Sequence, residues 1–226
     1  MDKFIINFDK PNFGFNALNS GYFVNEILKK RTDLKSKQLF SRLIRTGIIG
    51  HILFEKGEEF VTKEKITDKE FIAALFESYL FLVRTIYDYL LYFLKKQHRI
   101  EDNSFKKFIN KLKRGDYPDI DKKLRKHILS SKFFDEIRDL RDSIKQKTPY
   151  IFIYVKNNKY RVRGTIYKRN GGKKGFDEEL CLKVFGYSAA LVILMAYIAK
   201  DISGFSLEEQ LSFDRRLSRH SDRSTK

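Results

Sequence analysis

The stretch that decides the fold is DKEFIAALFESYLFLVRTIYDYLLYFLKKQH, residues 68–98. Its apolar side chains recur at helical spacing, and they are too dense for a helix that lies on the surface. The residues near one face are Phe71, Leu75, Leu82, Ile86, Leu90 and Phe93. Thr67 or Asp68 is expected to cap the N-terminus, and basic residues close the C-terminus, as the helix dipole favours. We therefore expect a long central helix from Asp68 to about His98.

Further helices are predicted on both sides of this stretch. Before it, we expect a strand at residues 4–8, a short helix at 22–31 and a longer helix at 37–54. A strand at 48–54 competes with the end of the longer helix, because Gly47 and Gly50 each cost about 1 kcal/mol relative to alanine in a helix interior. After it, we expect helices near 105–112, 120–129 and 131–147. The predicted fold class is therefore mainly α.

The helical period ends near residue 150, where the chain becomes rich in β-branched and aromatic residues. Residues 150–155 and 160–167 are predicted as two strands, and Asn157-Asn158 between them favours a hairpin turn with positive φ. A loop at 169–172 and a final helix from Asp177 to about Ile202 follow. We therefore expect an antiparallel helical bundle with a β-hairpin inserted before the last long helix.

The chain divides into three parts in this interpretation. They are an N-terminal extension packed on the bundle (1–65), the bundle with its hairpin at 150–168 (66–205), and a polar, basic, disordered tail (206–226). The final helix has no charge from Val184 to Ala199, but this segment is short for a membrane span. We interpret it as a buried bundle helix.

The amino-acid composition limits the kinds of partner that the protein is expected to bind. Lys and Arg number 46 against 29 Asp and Glu, which gives a net charge of +17. This excess favours a polyanion such as nucleic acid or an anionic membrane surface, although a merely solubilising surface is the alternative. The single cysteine excludes an intrachain disulfide and a cysteine-based zinc site. The first residues lack the apolar core of a signal peptide. We expect a soluble cytoplasmic protein with no cofactor and no metal.

Three charges lie on one face of the long helix. Glu77, Arg84 and Asp88 are separated by seven and four residues. At these spacings the side chains of an α-helix point in nearly the same direction from its axis. Buried charges need partners, and the helix predicted at 131–147 offers Arg138, Arg141 and Asp142. The six residues form either a polar pocket between two helices or an interhelical network of salt bridges.

Two segments carry a resemblance to a known family. They are FESYLFLVRTIYDYLLYFL (residues 76–94) and FFDEIRDLRDSIK (residues 133–145), and together they resemble the HEPN superfamily of nucleotide-binding domains. The resemblance implies a helical bundle, dimerisation, and RNA cleavage in members that keep an Arg and a following His. Here no His follows Arg138 or Arg141, so the residues left for a ribonuclease are these two arginines, Lys145 and His127.

A second functional signal lies around the hairpin. From Lys145 to Lys174 there are ten Lys and Arg and no Asp or Glu, interleaved with aromatic residues. Such a segment can contact phosphates while its rings stack on unpaired bases. The expected nucleic-acid-binding residues are Arg161, Arg163, Tyr167, Lys168, Arg169, Lys173 and Lys174. An ordinary hairpin that covers the helical core is the alternative.

Together these patterns predict a HEPN-like protein that binds nucleic acid, RNA in the first place, without robust catalysis. The resemblance alone suggests a homodimer and a role in prokaryotic defence or toxin–antitoxin systems. Two alternatives remain open: a divergent metal-independent ribonuclease, and a homodimeric interaction module without a specific ligand.

Overall fold

The protein is mainly α, with one small antiparallel sheet before the last long helix, so the predicted fold class is confirmed. The fold is seen in a computed structural model. It describes residues 22–62, 65–102, 104–130, 135–137, 139, 151–167, 172–205 and 209–210. The strand expected at 4–8, the tail at 206–226 except for 209–210, and most of the helix expected at 131–147 lie outside these residues.

The helices largely follow the apolar periodicity of the sequence. They are α1 (Phe23–Leu28, π-helical), α2 (Leu34–Glu58), α3 (Ile66–Gln97), α4 (Phe105–Arg114), α5 (Lys122–Ser130) and α6 (Leu180–Ser203). Residues 135–137 are helical as well. Helix α2 runs through residues 48–54, so the alternative of a strand there is wrong. The predicted cap is wrong too, because α3 has Lys65 at its N-cap position and no side-chain cap.

The sheet has three strands rather than the two of the predicted hairpin. They are β1 (Ile151–Lys156), β2 (Lys159–Tyr167) and β3 (Lys173–Glu179), antiparallel in the order β1-β2-β3. Asn157 and Asn158 form the β1–β2 turn with φ of 53° and 58°, as their tolerance of positive φ predicted. The third strand takes up Asp177, which the sequence had assigned to the start of the last helix.

The core lies between α2, α3, α6 and the inner face of the sheet. Helix α3 buries Phe76, Tyr79 and Leu90 completely, whereas Phe71, expected on the buried face, is 57% exposed. Helices α2 and α6 approach closely at Gly57, where an added Cβ would lie 2.6 Å from the backbone nitrogen of Cys181. Residues of α1 and α2 thus belong to the same core as those of the bundle.

Helix α6 is long and apolar enough to cross a membrane by length and composition alone, and it is the one such helix in the part of the chain that the structure describes. Half of its most apolar window is buried inside the protein, however, as in the core helix of a soluble protein. Tyr79 of α3 donates a hydrogen bond to the backbone oxygen of Val184 at 2.8 Å and lies 2.6 Å from Ser188 Oγ. These contacts tie α6 to the bundle interior.

Candidate nucleic-acid interface

The two faces of the sheet differ in composition because side chains alternate along each strand. The strand register places Phe152 opposite Arg163, and Arg163 opposite Asp177, all on the outer face. The residues between them, among them Ile153 and Val162, are buried against the helices. The outer face therefore presents the aromatic and charged side chains of the sheet to solvent.

Asp177 of the edge strand β3 connects the polar side chains of this outer face. Its carboxylate accepts hydrogen bonds from the Tyr154 hydroxyl at 2.6 and 2.8 Å, from Arg161 Nε at 3.0 Å and from Arg163 Nη2 at 2.8 Å. The bonds from Tyr154 and Arg163 hold the pKa of the Asp177 carboxyl well below its usual range. The same carboxylate raises the pKa of both arginines.

This arrangement corrects the interpretation of a surface free of acidic residues. The segment from Lys145 to Lys174 has no Asp or Glu in sequence, but β3 brings Asp177 beside its arginines in space. Asp177 offsets part of the charge of both guanidinium groups, and Glu179 Oε1 lies 3.9 Å from Arg161 Nη1 as well. Arg163 keeps 57% of its side chain exposed, whereas Arg161 keeps 23%. Arg163 is thus the arginine better placed to reach a ligand.

An aromatic pair lies beside the arginines. The rings of Phe152 and Tyr154 stack with centroids 6.0 Å apart and planes 16° apart. The guanidinium of Arg163 lies 4.9 Å from the centroid of the Tyr154 ring. Phe152 is 40% exposed, a large apolar surface for a solvent-facing strand. The two rings and the guanidinium together form a cluster on the outer face, called the outer platform below.

Of the other predicted binding residues, the structure describes Lys173, Lys174 and the backbone of Tyr167. Tyr167 pairs with Lys173 in the β2–β3 register, and Lys173 is exposed. The side chain of Tyr167, together with Lys168 and Arg169, lies outside the described residues. Lys174 contacts Glu136, with Nζ 3.2 Å from Oε2. Lys174 therefore belongs to a second charged cluster, under the sheet, and its expected role in binding phosphate stays a prediction.

This second group, called the inner cluster below, is centred on Lys183 of α6. Its ammonium lies 2.7 Å from Glu136 Oε1 and 2.9 Å from Glu178 Oε1, and 5.1 Å from the ring centroids of Phe176 and Tyr187. Lys183 is 7% exposed. Burial alone would raise the pKa of Glu136, but hydrogen bonds from Lys183, Tyr187 and Lys174 lower it overall.

The structure brings together only part of the predicted polar pocket. Arg84 Nη2 lies 2.9 Å from Asp88 Oδ1, one turn along the same helix. The side chain of Arg84 is 6% exposed and that of Asp88 44%, and Glu77 is exposed. Arg138, Arg141 and Asp142 lie outside the described residues. Among the described members, Arg84 and Asp88 therefore form an ion pair whose Asp88 side is exposed to solvent. Glu77 is not part of this pair.

The residues expected for a ribonuclease are only partly described. His127 lies on α5 with its ring centroid 5.1 Å from that of Tyr197, and burial lowers its pKa. The histidine is therefore neutral near pH 7. Arg138, Arg141 and Lys145 lie outside the described residues, so their position relative to His127 is not described.

Sequence reasoning missed Asp177, Glu136 and Lys183, which organise both faces of the sheet. Lys183 carries a weak signal, since it is the last charge before the uncharged segment of α6. Within the described residues, no group of three or more His, Cys, Asp and Glu is arranged to hold a metal ion. Comparisons of the chain with models of protein families, with curated proteins and with solved structures find no match.

Proposed function

We propose that this protein binds single-stranded nucleic acid, RNA in the first place, on the outer platform of its sheet, and does so without robust catalysis. The observation that carries the proposal is the stack of exposed Phe152 on half-buried Tyr154, with Arg163 beside it. Aromatic rings on a sheet are suited to unpaired bases, whose faces are free to stack. Duplex bases are already stacked, so this surface favours single strands.

Charge supports the same ligand. The net charge of +17 attracts polyanions over long distances. At the platform, the side chain of Arg163 is 57% exposed, and exposed Lys156 and Lys173 lie on the outer side at the two ends of the sheet. Because Asp177 contacts both arginines and Glu179 lies 3.9 Å from Arg161, we expect the platform to contribute at most about one phosphate contact, through Arg163. Stacking then provides most of its affinity.

The setting belongs to the proposal as well. We place the protein in the cytoplasm, as a HEPN-like binder without the Arg-and-His pair of the ribonucleases of that superfamily. The half-buried α6 agrees with a soluble protein. A role in prokaryotic defence or in a toxin–antitoxin pair is the biological context that the HEPN resemblance suggests.

The experiment is fluorescence anisotropy with a labelled 16-nucleotide oligouridine and a 16-base-pair duplex at low salt. Phe152→Ala should weaken binding of the single strand by about 1–3 kcal/mol, the value of one stacked base, and change duplex binding little. Phe81→Ala is the matched control, since Phe81 is a 49% exposed phenylalanine that belongs to α3 and not to the sheet. Equal effects of the two variants would contradict the proposal, as would a wild-type protein that binds neither ligand.

A further inference from the structure

A second basic surface lies at the other end of α2, formed by α1, α2 and α3. From Lys29 to Arg45 the chain has seven basic residues and one acidic residue, Asp33. Asp33 is already engaged as the N-cap of α2, where it accepts hydrogen bonds from the backbone nitrogen and the hydroxyl of Ser36. The surface therefore has a large excess of positive charge.

The cations on this surface are held on aromatic rings. Their distances to the ring centroids are 5.7 Å for Lys29 over Phe40, 4.3 Å for Arg31 over Phe93, 3.6 Å for Lys35 over Tyr92 and 5.3 Å for Arg42 over Tyr89. A cation stacked on a ring is partly ordered before any ligand arrives. It then loses less side-chain entropy when it meets a phosphate.

A shallow groove runs along the α2–α3 seam between these pairs. It is lined by Asp33, Lys35, Ser36, Leu39, Tyr89, Tyr92, Phe93 and Lys96. Tyr89 donates a hydrogen bond to Gln38 at 2.6 Å, which fixes one wall. Within the described residues, neither Lys35 nor Arg42 has a carboxylate within 4.0 Å. These two cations thus differ from the arginines of the outer platform, which share Asp177.

We propose that this basic groove binds the sugar–phosphate backbone of the same strand whose bases stack on the outer platform, an inference that rests on the proposed function. The hydrogen bond from Val61 to Asn158 fixes the C-terminal end of α2 beside the β1–β2 turn, so the groove lies at the opposite end of this helix. Helix α2 spans about 36 Å at 1.5 Å per residue. A stacked strand needs about 11 nucleotides to cover that distance at 3.4 Å each.

The test compares two double variants that remove the same charge. The groove variant combines Lys35→Gln with Arg42→Gln. The control variant combines Lys106→Gln with Lys113→Gln, which replace exposed lysines of α4. On 16-nucleotide oligouridine, the groove variant should flatten the slope of log K against log salt by about 1.4, or about 0.7 for each phosphate that the protein no longer neutralises. Between about 50 and 200 mM salt, its affinity should then fall about sevenfold less than that of the wild type.

The control variant should leave the slope near that of the wild type. Tetrauridine is too short to span both sites, so its binding at the platform should not respond to the groove variant. Equal slopes for the groove and control variants would overturn the inference and leave the platform proposal intact. A flattened slope in the groove variant, together with unchanged oligouridine binding by Phe152→Ala, would overturn the platform proposal. It would also overturn the inference that one strand occupies both sites. Vesicles rich in phosphatidylserine that bind through Lys35 and Arg42, while oligouridine does not bind, would overturn both.

Discussion

The outer platform and the inner cluster use the same residue types on opposite sides of one small sheet. Asp177 and Glu178 are neighbours on β3, and each accepts hydrogen bonds from cations. The cation that pairs with Asp177 is accessible to solvent, because the side chain of Arg163 is 57% exposed. Glu178 instead pairs with Lys183, whose side chain is only 8% exposed. Burial therefore decides which group of charges stabilises the fold and which remains available to a ligand.

The energies expected on the two sides differ severalfold. Exposed ion pairs typically contribute about 0.2–1 kcal/mol, because water and salt screen them. Removing one partner of a buried pair costs about 3–5 kcal/mol, because the other charge is left without compensation. Substitutions on each face of the sheet should therefore show whether the two faces have separate roles.

The largest effect should come from the inner cluster. Lys183→Ala should lower the free energy of unfolding by about 3 kcal/mol, near the lower end of the range for buried pairs because Glu136 keeps 19% of its side chain exposed. Lys174→Ala is the control, since it removes a 54% exposed lysine from the same carboxylate and should cost less than about 1 kcal/mol. Urea denaturation measures both. Similar losses for the two variants would show that burial does not separate them.

The pH dependence of stability should report the same cluster. The pKa of Glu136 is lower in the folded protein than its ordinary value of 4.5. Its stabilising contribution is therefore complete above the unfolded pKa and is lost as the pH falls through the folded pKa. Glu136→Gln should be less stable than the wild type at pH 7, and the gap should narrow from about pH 5 to about pH 3. A gap that stays constant over this range would contradict the ionised state of Glu136.

The smallest expected effect concerns the outer platform. Asp177→Asn should release Arg163, while Arg161 keeps Glu179 Oε1 at 3.9 Å. The salt dependence of oligouridine binding should then steepen by about 0.7, equivalent to one further phosphate contact. Asp119→Asn changes the same charge on an exposed residue outside the sheet and should leave the slope unaltered. Anisotropy titrations at several salt concentrations give the slopes. Weaker binding by Asp177→Asn would mean that its carboxylate positions the arginines for the ligand.

The sequence predicted most of the fold because the helices carry strong local patterns. The expected bounds of 68–98 and 177–202 compare with 66–97 and 180–203 in the structure. The paired asparagines predicted the turn because positive φ is a local property of those residues. Strand β3 could not be predicted this way, since KKGFDEE has only Phe176 as a buried apolar residue. Its pairing with β2 depends on tertiary contacts.

The candidate site was harder to predict than the fold for the same reason. The basic and aromatic residues of β1 and β2 are adjacent in sequence, so a basic, aromatic surface could be predicted there. Tyr167, and not Phe152 or Tyr154, was the aromatic residue expected to bind. Asp177 lies 14 residues from Arg163, and Glu136 lies 47 residues from Lys183. Only the packing of β3 and of residues 135–137 brings these partners together. Composition can therefore show an excess of charge, but not which charges are already neutralised.

The most direct test of the central claim is photocrosslinking of the wild-type protein to tetra(4-thiouridine), followed by mass spectrometry of the crosslinked peptides. This ligand is too short to reach both the platform and the basic groove. Binding on the outer platform predicts crosslinks at Phe152 or Tyr154, and the loss of these crosslinks in Phe152→Ala. Crosslinks confined to α4 and α5, with the sheet unmodified, would contradict binding on the outer platform.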